Sequence, residues 1–313
     1  MTNSEHVRGQ DAEQENAKNP TGILPSGRLS IIVAAAMWST SGFFAKAPWF
    51  DAWPEDIRGL LIAFWRSFFA CLILIPLIRK PRFKWQMLPM IISFAVMVWS
   101  FMTAMVYGPA ANAIWLQYLA PVWVLFGSVF LLKEKVSRSD LQMFGFCIAG
   151  VLLILLMELR SGVPMLATYM GLLSGITFAI VVLSIRSMPD ADPAFLITLN
   201  HGATALLLSP WVFSNWEPIS AGSYFALGLF GVFQMSIPYV LFARGLKTTV
   251  SAEASILILV EPILVPAWVY LAWHNHPSYD PPKWWALAGG LLILVGLISR
   301  YAPQVWKKEN PAS

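Results

Sequence analysis

The sequence predicts an all-α, polytopic membrane protein with ten transmembrane helices, and two observations favour this fold class. Of the 313 residues, 57% are hydrophobic and only 12% are charged, and the mean hydropathy is +0.63. Soluble domains carry about 25% charged residues, so most of this surface is not adapted to water. The second observation is a series of long apolar runs. They lack the alternation of a barrel strand, so we expect helices.

Ten apolar segments follow one another along the chain, each close to the roughly 20 residues that cross the hydrocarbon core of a bilayer. Short connections join them, which leaves little room for a soluble domain. The predicted segments are residues 29–50, 57–78, 87–107, 112–132, 140–158, 166–186, 194–213, 222–243, 252–273 and 284–302.

The distribution of Lys and Arg predicts the orientation of these segments. With the N-terminus inside, sixteen of the 21 Lys and Arg residues fall on the cytoplasmic side, four fall outside, and Arg66 lies within a segment. Cytoplasmic loops carry the excess of positive charge, so both termini are expected in the cytoplasm. The four residues on the outer side are Lys46, Arg58, Arg160 and Lys283.

The two halves of the chain resemble each other, which indicates an internal repeat. Three pairs of segments align in the same order at similar offsets, and the first pair matches Pro121 with Pro262. The aligned pairs are 110–124 with 251–265, 66–76 with 200–210, and 149–155 with 289–295. Because each half holds five helices, an odd number, the second half would enter the membrane inverted, as in many secondary transporters.

The repeat divides the chain into four predicted regions. Residues 1–27 are polar and predict a disordered cytoplasmic tail. The first repeat covers 28–160 and the second covers 161–302, followed by a cytoplasmic C-terminal tail at 303–313.

The segments "AANAIWLQYLAPVW" with "LLKEK" in the first half, and "SAEASILILVEPIL" in the second, resemble the drug/metabolite transporter superfamily, specifically its EamA-type permeases. The resemblance covers about residues 29–302 and gives almost no information about the substrate. It implies a permease that moves or exports a small metabolite across a bacterial inner membrane by alternating access. It also implies that helices 1, 3, 4, 6, 8 and 9 surround the pathway.

Glu261 is the strongest candidate for a functional residue because it lies in the middle of the apolar run 251–273, directly before Pro262. A charge at the centre of a transmembrane helix costs about 2.5–3.5 kcal/mol on insertion scales. It must therefore face a cavity or a partner, or carry a proton. A role in substrate contact or proton coupling stands beside the alternative of a buried hydrogen-bonding strut.

Arg66 also lies near mid-depth, in the second segment. It is a candidate for substrate contact or coupling, and the favoured alternative is a structural clamp that bonds backbone carbonyls of a neighbouring helix or pairs with an acid such as Glu261. Asn200 aligns with Arg66 in the repeat, and His201 follows it, so this polar pair can either line a cavity or pack between helices.

Neutral polar and aromatic residues complete the candidate site. Trp38 precedes a run of hydroxyl residues in segment 1 and could stack on a substrate. The implied pathway adds four residues to Trp38 and Glu261, each of which could instead serve only helix packing: Gln117, Tyr118, Gln234 and Tyr239.

Three further polar residues have simpler interpretations. Asn112 and Glu253 occupy matching repeat positions at helix starts and are expected to act as caps or dipole partners. Lys46 can reach the headgroup region, and a role as a gate would need a partner such as Asp51 or Glu55.

Several functions are disfavoured by the sequence. It shows no nucleotide-binding glycine loop, so no primary pump and no cofactor are expected, and His274 and His276 offer too few ligands for a metal site. The net charge of +4 is explained by cytoplasmic loops rather than by nucleic acid. The expected partners are a small-molecule substrate and the lipid bilayer, with a homodimer left open. The alternatives to a transporter are a membrane-embedded partner subunit and, less favoured, a membrane enzyme.

Overall fold

The computed structural model describes residues 27–309, except 134, 162–164, 216–217, 247, 250 and 278. Within this part of the chain the regular structure is helical, and ten helical stretches are long and apolar enough to cross a membrane. We number them span 1 to span 10. In order they are Gly27–Ala45, Glu55–Leu77, Met87–Tyr107, Ala110–Phe130, Arg138–Ser161, Leu166–Arg186, Pro193–Ser214, Ala221–Gly245, Glu253–Trp273 and Trp284–Ala302.

The predicted all-α class with ten spans is confirmed, and most boundaries agree within a few residues. The largest difference is in span 1, whose helix ends at Ala45 rather than near residue 50. The chain turns at Lys46 and forms a separate short 3-10 helix, Pro48–Phe50, because proline favours a new helical start. At the other end, the last helix continues beyond its span and covers Trp284–Glu309. Of the predicted tail at 1–27, residues 1–26 lie outside the described residues, and Gly27 is the first residue of span 1.

Large apolar side chains are exposed on the outer faces of the spans. Leu206 is 73% exposed and Phe130 is 74% exposed, although each lies within or at the end of an apolar helix. A soluble protein rarely leaves such a surface uncovered, whereas acyl chains cover it in a bilayer. The molecule is therefore an integral membrane protein.

Four of the spans change their helical geometry in their interior, spans 1, 4 and 9 by a break and span 8 by a π-helical stretch. Spans 4 and 9 break just before Pro121 and Pro262, which lack the N–H group that an unbroken helix would use. The helical pieces are Gly27–Trp38 and Ser41–Ala45 in span 1, Ala110–Gln117 and Ala120–Leu132 in span 4, Ala221–Leu229 and Ile237–Gly245 in span 8, and Ser251–Leu257 and Val260–Trp273 in span 9. Interrupted helices of this kind commonly line the sites of transporters.

Span 8 contains a wide turn, the π-helical stretch Phe230–Ser236. Pro238 follows it and cannot donate a backbone hydrogen bond back into this turn. Within the turn, the hydroxyl of Ser236 donates to the carbonyl of Gly231 at 3.1 Å. Wide turns of this kind are frequent at functional sites.

Glycines allow the closest helix contacts in the bundle. A Cβ atom on Gly59 in span 2 would lie 2.6 Å from the Cα atom of Thr103 in span 3. Gly150 of span 5 and Gly289 of span 10 each approach the other's backbone carbonyl, at 2.5 and 2.7 Å from the Cβ positions. Small residues let membrane helices approach in this way, where bilayer lipid supplies no hydrophobic drive.

The contacts between spans follow a regular pattern. Spans 2, 4 and 5 pack against spans 7, 9 and 10, respectively. Most other contacts have a counterpart in which each span is replaced by its equivalent in the other half, five positions along the chain. Spans 3 and 6 are in contact, and so are their equivalents, spans 8 and 1. The same holds for 4 with 6 and 9 with 1, for 2 with 8 and 7 with 3, and for 4 with 5 and 9 with 10.

Ion pairs join helix ends on one side of the bundle. Arg28 at the start of span 1 pairs with Glu253 at the start of span 9, and Arg300 of span 10 pairs with Asp140 of span 5. Glu253 does lie in the first turn of its helix, where an acidic group complements the helix dipole.

Asp192 caps span 7 and holds the loop between spans 2 and 3. Its carboxylate accepts the backbone N–H groups of Arg79 at 2.8 Å, Lys80 at 2.9 Å and Ala194 at 3.0 Å. Burial opposes ionisation, but these donors outweigh it and lower the pKa of Asp192.

Replacement of Asp192 by Ala is expected to destabilise the protein by about 1 kcal/mol at neutral pH, because a helix cap is lost. The stabilisation should be present above the unfolded-state pKa of about 3.9 and disappear as the pH falls through the lower folded-state value. Thermal unfolding of detergent-purified protein at pH 7 and at acidic pH would measure it. Asp192→Asn, which keeps one acceptor oxygen, should lose less, and equal losses in both variants would contradict this role.

Candidate functional site

The breaks in spans 4 and 9 face each other in the interior. Tyr118 lies at the break in span 4, and its hydroxyl is 3.0 Å from the carbonyl oxygen of Ile258 and 2.9 Å from Oε2 of Glu261. In a regular helix the N–H of residue 262 would bond the carbonyl of Ile258, but Pro262 has none. The carbonyl accepts the N–H of Glu261 at 3.0 Å instead, and its second lone pair remains available to the Tyr118 hydroxyl.

Glu261 lies in the first turn of Val260–Trp273 and is half-buried. Its side chain bonds to Tyr118, and it forms no ion pair with any residue that the structure describes. Among the described residues the carboxylate therefore has one side-chain partner, Tyr118, and it is not fully enclosed by protein.

Arg66 is placed in the core between spans 2 and 8, with 2% of its surface exposed. Its Nη1 donates to Oε1 of Gln234 at 3.3 Å, and its guanidinium lies over the Phe230 ring, 5.2 Å from the centroid. Within the described residues, Arg66 bonds neither to a backbone carbonyl nor to Glu261, so both predicted partners are wrong. The contact does cross between helices, but its acceptor is a side-chain amide.

Gln234 connects three spans from its position in the wide turn of span 8. Its oxygen accepts from Arg66, and its Nε2 donates to the carbonyl of Trp38 at 3.2 Å. That carbonyl is available because the helix Gly27–Trp38 ends there, and the last carbonyls of a helix have no internal partner. The break in span 1 and the wide turn in span 8 are therefore bridged by one side chain.

Aromatic rings form a wall beside this bridge. The ring of Trp38 lies 5.1 Å from that of Tyr239 and 5.2 Å from that of Phe242. The Tyr239 ring lies 6.4 Å from His201, which contacts Phe94 at 4.9 Å. Edge-on contacts of this kind hold large side chains in fixed orientations.

His201 and Asn200 are almost completely inaccessible, with 0% and 2% exposure. In the described structure, three of their polar atoms have no hydrogen-bond partner: the two ring nitrogens of His201 and the amide oxygen of Asn200. Buried polar groups are nearly always paired in folded proteins. These atoms therefore need an explanation beyond helix packing.

Tyr239 lies within electrostatic range of both Glu261 and Arg66. The structure thus brings together Arg66, Gln234, Trp38, Tyr239 and His201 on one side, and Tyr118 and Glu261 on the other. Gln117 is half-buried beside Tyr118, and its side chain makes no hydrogen bond within the described residues.

One buried polar cluster was missed by sequence reasoning. The carboxylate of Glu158 in span 5 accepts from Nδ2 of Asn112 at 2.9 Å and from the indole of Trp285 at 3.0 Å. The cap interpretation of Asn112 is therefore wrong, because its side chain reaches another span. An acid within the apolar segment 140–158 was the available signal.

A charged cavity lies at the end of span 1. Its volume is about 310 Å³, and it is lined by Ala45, Lys46, Ala47, Asp51, Glu55, Arg58 and Val106. Asp51 pairs with Arg58 at 2.7 Å, while Lys46 donates from Nζ to the carbonyl of Val106 at 3.2 Å. Lys46 thus reaches a backbone carbonyl rather than either acid considered from the sequence.

Lys46 is expected to lose its charge close to neutral pH. Burial lowers the pKa of this amine to about 8, although the nearby acids Asp280, Glu55 and Asp51 favour the charged form. Labelling with acetic anhydride, followed by mass spectrometry of the peptide, should give a midpoint near pH 8 in the folded protein. The denatured chain should show a midpoint near the ordinary lysine value of about 10.4. Identical profiles in the two states would contradict burial of the amine.

Ten spans and interrupted helices around buried polar side chains define a polytopic membrane protein with the architecture typical of transporters. The sequence model of the EamA-like transporter family matches residues 25–156 and again residues 165–300. The chain belongs to this EamA-like transporter family, which confirms the resemblance seen in its sequence.

Relatives of similar length support the assignment. An uncharacterized transporter of Archaeoglobus fulgidus is 28% identical over 278 residues, covering 87% of this chain and 95% of the relative. The pseudopaline exporter CntI of Pseudomonas aeruginosa is 23% identical over 285 residues, covering 88% and 96%. A crystal structure at 17% identity has the same fold, with a TM-score of 0.61 and coverage of 88% of this chain and 97% of the other.

Proposed function

We propose that the protein is a secondary transporter that moves a small metabolite, such as an amino acid or another small amphipathic compound, across the plasma membrane by alternating access. The observation that carries the proposal is two charged side chains within the spans, the buried Arg66 and the half-buried Glu261, neither of which forms an ion pair with any residue that the structure describes. Intramembrane charges are costly and typically mark a substrate or ion pathway.

The arrangement of the two halves supports alternating access. The regular interchange of contacts between spans n and n + 5 is what two similar halves of opposite orientation would produce. The family model also matches the two halves separately, at 25–156 and 165–300. Such halves can exchange roles, so inward-open and outward-open forms have comparable free energies. Both termini are proposed to be cytoplasmic, as the distribution of Lys and Arg predicts.

Export is the first direction to test because one relative is named an exporter. The driving force is proposed to be either the proton gradient, with Glu261 as the carrier, or substrate exchange. An imposed pH gradient should accelerate flux only in the first case, and internal substrate should accelerate it in the second.

Purified protein in proteoliposomes, assayed with a panel of amino acids and other metabolites, tests the proposal. We expect saturable flux of at least one neutral or zwitterionic compound. A comparison of metabolites in cells lacking and overproducing the protein would select the panel. Flux restricted to sugar phosphates, or absent for every compound, would overturn the proposal. A partner subunit without transport of its own would keep its cellular function after Glu261→Gln and Trp38→Ala.

A further inference from the structure

We propose that the loop between spans 2 and 3 is a binding surface for the headgroups of anionic phospholipids. The loop covers residues 78–86, with the sequence "IRKPRFKWQ", and we call it the basic loop. It carries four cationic and two aromatic side chains. The inference goes beyond the proposed function, because it concerns the membrane around the protein and not the transported compound.

The basic loop has a local excess of positive charge. No Asp or Glu occurs at residues 57–133 of the sequence. The four cations are exposed, and none of them forms an ion pair with any residue that the structure describes. They are Arg79, Lys80, Arg82 and Lys84. This charge is therefore left to be balanced by anions from the surroundings of the protein.

One acid does contact the basic loop, but it holds the backbone. The carboxylate of Asp192 accepts the N–H groups of Arg79 at 2.8 Å and Lys80 at 2.9 Å, as well as that of Ala194. The side chains of both loop residues remain exposed. The contact thus fixes the start of the basic loop against span 7 without an ion pair to its cations.

Two aromatic rings place the basic loop at the level of the membrane surface. Phe83 is 50% exposed and Trp85 is 78% exposed, and their ring centroids lie 5.8 Å apart. Span 3 begins at Met87, which is 0% exposed, so the rings lie directly beside the packed bundle. Aromatic side chains between an apolar span and water are enriched at the level of the headgroups.

The combination of cations and rings favours a lipid phosphate as the occupant. Clusters of four or more Lys and Arg beside a transmembrane helix attract anionic headgroups, and the distribution of Lys and Arg assigns this loop to the cytoplasmic leaflet. The Arg side chains can bind a phosphate with two parallel N–H bonds, whereas the Lys side chains act as point charges. A soluble anion would meet the same cations but would gain nothing from rings at the bilayer surface.

Lipid binding to the purified full-length protein tests the proposal. Detergent-solubilised protein is titrated with phosphatidylglycerol or with phosphatidylcholine of the same acyl chains, and native mass spectrometry measures the affinity of the first bound lipid. We expect wild type to bind phosphatidylglycerol about fivefold or more tightly in 0.1 M ammonium acetate, which is the contribution of a single cation at a charged surface. In about 1 M ammonium acetate the preference should largely disappear, because the screening length falls to about 3 Å.

A triple variant of the basic loop should remove the preference. Lys80→Gln, Arg82→Gln and Lys84→Gln, combined in one chain, are expected to bring the two affinities within about twofold of each other. Arg82→Lys alone keeps the charge and should keep most of the preference. Size-exclusion chromatography and the melting temperature establish that each variant is folded.

The loop between spans 4 and 5 provides a matched control. It lies at the same end of the bundle, contains two Lys and one Arg that are exposed, and has no aromatic residue at 133–138. The control variant combines Lys133→Gln, Lys135→Gln and Arg138→Gln. It makes the same three chemical changes and should leave the preference for phosphatidylglycerol unchanged.

Four results would overturn the proposal. Wild type without the preference, or an unchanged preference in the variant of the basic loop, would leave its cations with a role in membrane insertion only. Equal losses in both triple variants would show that any positive charge at this end suffices. Displacement of phosphatidylglycerol by an equal concentration of inorganic phosphate would indicate a site for a soluble anion.

Single substitutions keep the test decisive if the triple variant does not fold. Arg82→Gln and Lys84→Gln should each lower the preference by about twofold or more, since each removes one of four cations. If both folded single variants kept the full preference, the basic loop would not be the binding surface.

Discussion

Replacement of Glu261 by Gln is expected to reduce transport per folded molecule about tenfold or more, while the protein still inserts and folds. The amide keeps the size of the side chain and can still bond to Tyr118, but it carries neither a negative charge nor an exchangeable acid proton. A charged hydrogen bond lost in the interior has an effect of this size. Initial rates in proteoliposomes, divided by the amount of folded protein, provide the measurement.

Glu158→Gln is the matched control for this change. Glu158 is also buried within a span, but its oxygen only accepts bonds from Asn112 and Trp285, which an amide oxygen can still do. Transport should therefore stay close to wild type in this variant. Equal transport losses at both positions would mean that any buried carboxylate matters for structure, and the special role of Glu261 would be lost.

Replacement of Gly59 by Val should have the largest effect on folding. The new Cβ atom would lie 2.6 Å from the Cα atom and 2.8 Å from the backbone nitrogen of Thr103. A flexible side chain can move aside, but here backbone atoms of span 3 block the position. Overpacking of this kind costs about 3 kcal/mol or more, because two whole helices must separate. We expect little monodisperse protein in size-exclusion chromatography and a lower melting temperature.

Gly145 provides the comparison for Gly59. It lies in span 5, and a Cβ atom there meets no atom within 4 Å. Gly145→Val should therefore give normal yield and melting temperature. If Gly59→Val behaved like Gly145→Val, the close approach of spans 2 and 3 would be incorrect.

The positions of the spans were predictable because membrane insertion imposes a length and a composition on each helix. The breaks in spans 4 and 9 have a local signal in the sequence, since Pro121 and Pro262 remove specific backbone donors, but the repeat alignment alone does not state that the helices end there. Glu261 could be selected as a candidate from its position alone, because a carboxylate in an apolar run of this length needs a partner or a cavity.

The partners of these residues could not be predicted in the same way. Arg66 meets Gln234, and Tyr118 meets Glu261, over sequence separations of 168 and 143 residues. Periodicity and composition report which side of a helix is apolar, but they do not report which distant helix will face it. For the same reason Asn112 was assigned to a local cap, whereas its side chain bonds to Glu158 in another span. Local rules fail where tertiary contacts decide.

The wide turn at Phe230–Ser236 sets the rotational phase between the two halves of span 8. At the start of the turn, Gly231 lies against the backbone of Arg66 in span 2. After the turn, the ring of Tyr239 contacts that of Trp38 in span 1. An α-helix advances about 100° per residue, so one residue more or less here would swing one half around its axis by that angle. The number of residues between Gly231 and Tyr239 is therefore as constrained as their identities. A single-residue deletion there would move one of the two residues away from its contact, with span 2 or with span 1.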